Sequence, residues 1–289
     1  MLVANLIYGA NYTIAKDVMP KYILPFGFIL LRVCGAVILF WILQLFVPRE
    51  RVERKDLLLL LLCSVFGVAT NQMMFFAGLN LSTPINAAVM ITSNPILVLL
   101  LTAVIFKIRI SLLKIIGIAL GISGALYLIL QGKEGAATLL SAETSLGNIM
   151  VLANSLSYAI YLVLVQPLLT KYHPVTIMKW VFTFGWFFVL PFGYTQFNLI
   201  EWTSFPPVIV VETSFVVVGT TFVAYLLNTL AQRSAGAEVV STYVYAQPLM
   251  AAILAILVGS DRLSWPLVIS GVLVFGGVYL VSYRRSPTG

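Results

Sequence analysis

Apolar and polar positions alternate along this chain on a long wavelength. Runs of about 20 hydrophobic residues, the length that crosses hydrocarbon, are separated by short polar or charged stretches throughout the chain. Ten runs are read, at about 2–19, 25–46, 57–79, 84–106, 112–130, 147–169, 174–195, 208–231, 236–258 and 264–283. Each is apolar around most of its circumference, whereas a transmembrane barrel would show alternating segments of about ten residues. The first run is the weakest, because Asn5, Tyr8, Asn11, Tyr12 and Lys16 dilute it. Connections are short, which predicts antiparallel neighbours. The longer one, from Gln131 to Leu146, is rich in Gly, Ala and Ser with two acids.

The pattern is also duplicated. At a constant shift of 153, Asn94-Pro95 aligns with Gln247-Pro248, Arg109 with Arg262, Ser111 with Ser264 and Gly124 with Gly277. A weaker echo at a shift of 149 aligns Ala4-Asn5 with Ala153-Asn154, Tyr12 with Tyr161 and Pro25 with Pro174. Five spans per half is an odd number, so the second half enters the membrane upside down relative to the first. The predicted fold is an all-α polytopic membrane protein: ten transmembrane helices as two inverted five-helix repeats, at 1–135 and 147–285, joined by an external linker at 136–146.

Composition and charge agree with this. The chain is 61% hydrophobic and 9% charged, with a mean hydropathy of +1.03, against about 25% charged in soluble domains. Twelve basic residues (Arg49, Arg51, Arg54, Lys55, Lys107, Arg109, Lys114, Lys171, Lys179, Arg233, Arg284 and Arg285) fall on one side of a ten-span arrangement. Four (Lys16, Lys21, Lys133 and Arg262) fall on the other, with Arg32 inside the second span. By the positive-inside rule this places both termini in the cytoplasm, in the cytoplasmic or inner membrane. The net charge of +7 is thereby assigned to membrane anchoring, and no nucleic-acid partner is expected. Cys34 and Cys63 lack metal spacing and read as small buried residues. The opening residues do not resemble a cleavable signal; whether the N-terminus is trimmed stays open.

Polar side chains within greasy helices are expected to face a bundle interior or a wet cavity. Asn5, Tyr8 and Tyr12 share one face of the first span, and Asn154, Tyr158 and Tyr161 repeat the idea in the sixth. Asn11 and Lys16 point elsewhere, Lys16 towards the external interface. Asn71 and Phe75 in the third span, with Tyr225 and Asn228 in the eighth, combine amides with aromatics, which suits an amphipathic solute or interhelical bonding. Arg32, and Lys179 at broadly similar depth in the seventh span, need a cavity, the headgroups or a structural partner. Glu212 and Glu238 sit at span ends, where they could pair across loops or titrate; His173 reads as loop.

The clearest mechanical signal is the matched pair of kinks. Met90 and Asn94 precede Pro95, and Tyr243 and Gln247 precede Pro248, each pair one turn apart. Proline removes a backbone hydrogen bond, so carbonyls near Ile91 and Val244 become available to water, side chain or solute. Gly117, Gly121 and Gly124, with Gly271, Gly276 and Gly277, permit close backbone approach and read as scaffold or dimer contacts.

Taken in order, Asn5-Leu6-Ile7-Tyr8-Gly9-Ala10-Asn11-Tyr12, Arg32, the Ala77-Gly78-Leu79 to Ser93-Asn94-Pro95 run, Gly117-x-x-x-Gly121-x-x-Gly124, and Ala231-Gln232 to Ala246-Gln247-Pro248 resemble the EamA-type branch of the drug/metabolite transporter superfamily. The resemblance implies a carrier of small organic metabolites, commonly an exporter of amino acids or related solutes, with a central cavity between the halves. Tyr8-Gly9 departs from the tryptophan-glycine pair often found there, which argues against transferring a particular substrate. Basic residues in the cavity are few beyond Arg32 and Lys179, which disfavours a highly phosphorylated solute. The expected mechanism is alternating access, with no cofactor, no metal and no catalysis. Proton coupling, exchange and a homodimer stay open, and a membrane enzyme or non-transporting scaffold is the alternative.

Overall fold

The computed structural model describes residues 1–130, 142–257 and 265–282. Lys133, Arg262, Ser264, Arg284, Arg285 and much of the 136–146 linker lie outside the described residues. Within them every regular element is helical. Helices α1 (Leu2–Val18) and α2 (Pro25–Leu43) are followed by α3 (Arg54–Ser64), which passes through a π-helical stretch, Val65–Ala69, into α4 (Thr70–Leu81). Next come α5 (Pro84–Ile91), α6 (Asn94–Phe106), α7 (Leu112–Leu130), α8 (Ala142–Lys171) and α9 (Pro174–Asn198). Helix α10 (Pro207–Ser214) passes through a second π-helical stretch, Phe215–Val223, into α11 (Ala224–Ala235). Helix α12 (Ala237–Thr242), a 3₁₀ turn at Tyr243–Ala246, α13 (Gln247–Leu257) and α14 (Trp265–Ser282) complete the chain.

Eight helical runs among the described residues are long and apolar enough to cross a membrane: Pro25–Phe46, Arg54–Leu81, Asn86–Phe106, Leu112–Leu130, Ser145–Lys171, Pro174–Asn198, Pro207–Ala235 and Trp265–Ser282. They fall where the hydrophobic pattern places spans. Two further expected spans differ for local reasons. Leu2–Val18 has 17 residues and its apolar sequence is interrupted by amides and phenols. The ninth is broken at Tyr243–Ala246, and its far end lies outside the described residues. Prolines open α2, α9 and α10 at the first helical turn, where the missing N–H costs nothing and φ is already set. Gly236, at φ +89°, lets α11 turn directly into α12.

The most extensive packing pairs α7 with α14, α2 with α9 and α4 with α8, followed by α6 with α8, α2 with Phe215–Val223, and α1 with α13. These contacts come in matched sets when the first five expected spans are exchanged with the last five. The α2–α9 and α7–α14 pairs map onto themselves, α6–α8 maps onto α1–α13, and α4–α8 maps onto α1 against Phe215–Ala235. The π-helical stretches occupy the third and eighth spans, and the tight breaks the fourth and ninth.

Glycines determine how closely some of these pairs approach. A Cβ on Gly117 would lie 2.8 Å from the Gly277 carbonyl, and one on Gly124 would lie 2.8 Å from the Leu273 Cβ. The glycine faces that could have been dimer contacts are thus used within the chain, although Gly271 and Gly276 face open space. Outward positions such as Val104 (74% exposed) and Val272 (70%) are apolar, as a hydrocarbon-facing surface requires.

Ion pairs and polar contacts join helix ends that antiparallel alternation places together. Lys171 and Tyr172 donate to the Asp56 carboxylate, at 3.0 and 2.8 Å, and the His173 N–H donates to Glu50. His173, expected as loop, caps α9 through its ring. Lys114 pairs with Glu238, the cross-loop pairing open to that acid. Lys16 does not reach for the interface: its ammonium donates to the carbonyls of Leu79, Asn80 and Ser82 at 2.8–3.0 Å, closing the negative C-terminal end of α4.

Candidate functional site

Between the first and second halves lies a cavity of about 100 Å³, enough for several waters or a small solute group. Helix α1 contributes Asn5, Tyr8, Asn11 and Tyr12, and α2 contributes Arg32. Helix α4 adds Asn71, Gln72, Phe75 and Phe76; the α5–α6 break adds Ile91 and Asn94. Asn154, Ser155 and Tyr158 come from α8, Thr220 from the second π-helical stretch, and Tyr225 and Asn228 from α11. Val240, Val244 and Gln247 close the wall.

Twelve of the sixteen residues singled out as cavity candidates are therefore brought together. Tyr161 is not among the lining residues: its ring stacks on Tyr158 at 5.8 Å and fills the space beside Gly67. Met90 and Tyr243 pack against the two hydrophobic cores. Lys179, 8% exposed, lies over the rings of Trp41 and Trp180 at 4.8 and 5.4 Å. The cation is satisfied by aromatic faces away from the cavity. Asn11, expected to point elsewhere, is in the wall. It lies about 60° from Tyr8 at 3.6 residues per turn, so the polar face of α1 is broader than a three-residue stripe.

The expected kinks are realised as tight turns. Thr92 and Ser93 N–H groups reach back three residues, to Val89 and Met90 at 3.1 and 3.2 Å, and α6 restarts at Asn94-Pro95. The counterpart is the 3₁₀ turn Tyr243–Ala246 before Gln247-Pro248. Ile91 and Val244, whose carbonyls proline was expected to release, both line the cavity.

Each break carries a polar link to the opposite half. Asn94 Nδ2 donates to the Ser155 carbonyl of α8 at 2.9 Å. Gln247 accepts from the Tyr12 hydroxyl at 3.0 Å and donates to Asn5 Oδ1 at 3.3 Å, both on α1. Asn94 and Gln247 are thus a matched pair in action: each ties the fourth expected span of its own half to the first of the other. Asn154 donates to the Asn71 carbonyl (2.8 Å), and Tyr225 donates to the Asn71 side-chain oxygen (3.0 Å). Asn228 Nδ2 faces the hydroxyl oxygens of Tyr8 and Tyr158, each at 3.3 Å.

Arg32 is the exception among these bonded groups. It is 2% exposed, its Nε donates to Thr221 Oγ1 at 2.9 Å, and its Nη1 has no hydrogen-bond partner. The ring faces of Phe76 and Phe28 lie 4.1 and 5.9 Å from the guanidinium carbon. Such contacts contribute about 2 kcal/mol when desolvated, whereas burying an ion costs several kcal/mol. None of the ion pairs among the described residues includes Arg32.

Residues 1–130 and 145–283 each match the EamA-like transporter family. The chain belongs to that family. Several proteins named as uncharacterized transporters match this EamA-family chain along most of their length. The inner membrane transporter YicL of Salmonella typhimurium is 25% identical, over 98% of this chain and 93% of that protein. YyaM of Bacillus subtilis is 22% identical over 95% and 91%. An uncharacterized transporter of Archaeoglobus fulgidus is 25% identical over 76% and 74%. A solved crystal structure superposes with a TM-score of 0.76 at 17% identity, covering 96% of this chain and 93% of that one. The family and the apolar helices identify a multi-pass membrane transporter.

Proposed function

We propose that this EamA-family protein is a secondary transporter that exports small organic metabolites, amino acids or related amphipathic solutes, across the cytoplasmic membrane. The mechanism is alternating access: two inverted five-helix halves, 1–135 and 147–285, rock about the cavity between them, with both termini in the cytoplasm. One observation carries the reading. The cavity is walled by amides and aromatics from both halves, so a solute bound there is held by the surfaces whose relative movement would open it to either side. The matched packing under exchange of the halves and the asymmetry of basic residues support the inverted arrangement.

Among the described residues, no aspartate, glutamate or histidine lines the cavity. Coupling to protons through a cavity carboxylate therefore has no group to use there, which favours uniport or solute exchange. Purified protein in liposomes preloaded with single amino acids or amphipathic metabolites tests the reading. Counterflow of labelled solute is the expected result. Absence of flux for every member of a broad metabolite panel removes the transporter reading.

A further inference from the structure

Charge among the unsatisfied atoms of the cavity has one sign. On the donor side stands Arg32, whose Nη1 is buried without a partner and whose one hydrogen bond goes to a neutral hydroxyl. That hydroxyl donates in turn to the Val216 carbonyl at 2.8 Å, so it meets the guanidinium with its oxygen and brings no charge. On the acceptor side stand Asn11 Oδ1, Asn94 Oδ1 and Asn228 Oδ1, all buried and without partners, while the unpartnered hydroxyls of Ser155 and Thr220 can serve either polarity. Asn94 has already committed its Nδ2 to the Ser155 carbonyl, which fixes its oxygen as the free atom. Asn228 uses its Nδ2 on two phenols. Gln72, whose side-chain amide lies beside the Tyr225 phenol, can serve either polarity but adds no charge. The cavity therefore presents one uncompensated positive charge and neutral acceptors, within walls that include Phe75 and Tyr12 in edge-to-face contact at 5.7 Å.

We infer that the transported solute carries a carboxylate, which docks on Arg32, and at least one N–H or O–H group, which the amide oxygens of Asn94 and Asn228 receive. The inference rests on the transporter reading and narrows it. A guanidinium presents its donors in a planar fork that matches a carboxylate, and in a low-dielectric site it repels an organic cation. Neutral amide oxygens accept from an ammonium or hydroxyl without closing on Arg32, as an aspartate in their place would do. A doubly charged phosphate finds only one cation among the described lining residues. Among the described residues the other buried cationic side chain, that of Lys179, lies over tryptophan rings outside the cavity.

Two measurements on the full-length protein test this, binding by thermal shift in detergent and counterflow in liposomes. The probes are matched sets: an apolar α-amino acid, its carboxamide, its decarboxylated amine and its deaminated acid, for one aromatic and one aliphatic side chain. In the wild type the amino acid should stabilise the protein and exchange, with the carboxamide and amine weaker by about tenfold to a hundredfold, as expected for a hydrogen bond to a charged group. In Arg32→Gln the preference for acid over carboxamide should disappear. Arg32→Lys, which keeps the charge and loses the fork, should fall between. The wild-type comparison stands alone if Arg32→Gln fails to fold. Equal handling of carboxamide or amine and acid by the wild type overturns the inference while leaving the transporter standing. Carboxylate binding that depends on Arg32 without any flux upholds the site and overturns transport. Neither binding nor flux across the panel overturns both.

Discussion

At the scale of single residues, the cavity is held together by side-chain amides that reach backbone or side chains across the two halves. Each such bond contributes about 0.5–1.5 kcal/mol, so losing one should loosen the wall without unfolding the helices. Asn94→Ala and Gln247→Ala are each expected to lower the initial transport rate about two- to tenfold, with membrane insertion, followed by a fluorescent C-terminal fusion, unchanged. Unaltered kinetics in both variants would take the kinked helices out of the transport site. These two residues were legible in the sequence because an amide beside a proline, repeated at a fixed shift inside apolar runs, marks a helix break that must face polar surroundings. Lys179 was misleading for the opposite reason. Its partner Trp41 sits on a different helix, and no pattern along one helix discloses a cation–π contact across two. Arg32 was visible as a charge at depth, but its lack of a counterion depends on what the other helices fail to bring.

At the scale of elements, spans and their order follow from hydrophobic run length, whereas the departures from α-helix do not. The stretches Val65–Ala69 and Phe215–Val223 are π-helical, yet over a few turns their apolar sequences look the same at either helical period. The consequence is chemical: Thr221, which receives Arg32, lies in the second stretch, and π-helical turns often mark functional sites. Glycine spacing was legible as close packing, and the partner was not, since small residues serve internal and intermolecular faces equally. The structure separates them. Gly117→Ala places a methyl 2.8 Å from the Gly277 carbonyl and should destabilise by about 1–3 kcal/mol, as overpacking does. Gly271→Ala meets open space and should be neutral or stabilising by up to about 1 kcal/mol, because alanine loses less backbone entropy than glycine. Melting of the two variants in detergent, followed by intrinsic fluorescence, should therefore move in opposite directions or diverge clearly; equal shifts would mean that the α7–α14 seam is not close-packed.

For the whole molecule, the question is which contacts must break if the halves rock. The α7–α14 and α2–α9 seams are the most extensive in the molecule, and their paired surfaces map onto themselves under exchange of the halves, so they suit a pivot. The Lys114–Glu238 pair is different. It joins α7 in the first half to α12 in the second, close to where α12 begins and only partly shielded from solvent, with 31% and 14% side-chain exposure. A partly exposed ion pair, screened by solvent, contributes about 0–1 kcal/mol, too little to lock a conformation but enough to bias one, and it can separate without rebuilding a core. Rocking predicts that it opens once per cycle. With Cys34 and Cys63, the free cysteines among the described residues, replaced by alanine, Lys114→Cys and Glu238→Cys in one chain should transport normally when reduced. A short bifunctional thiol reagent should then stop counterflow, a cleavable reagent should let it resume on reduction, and each single cysteine variant should be indifferent to both. Full flux through a demonstrably crosslinked protein would show that the halves do not part at this edge and would move the gate elsewhere on the cavity rim.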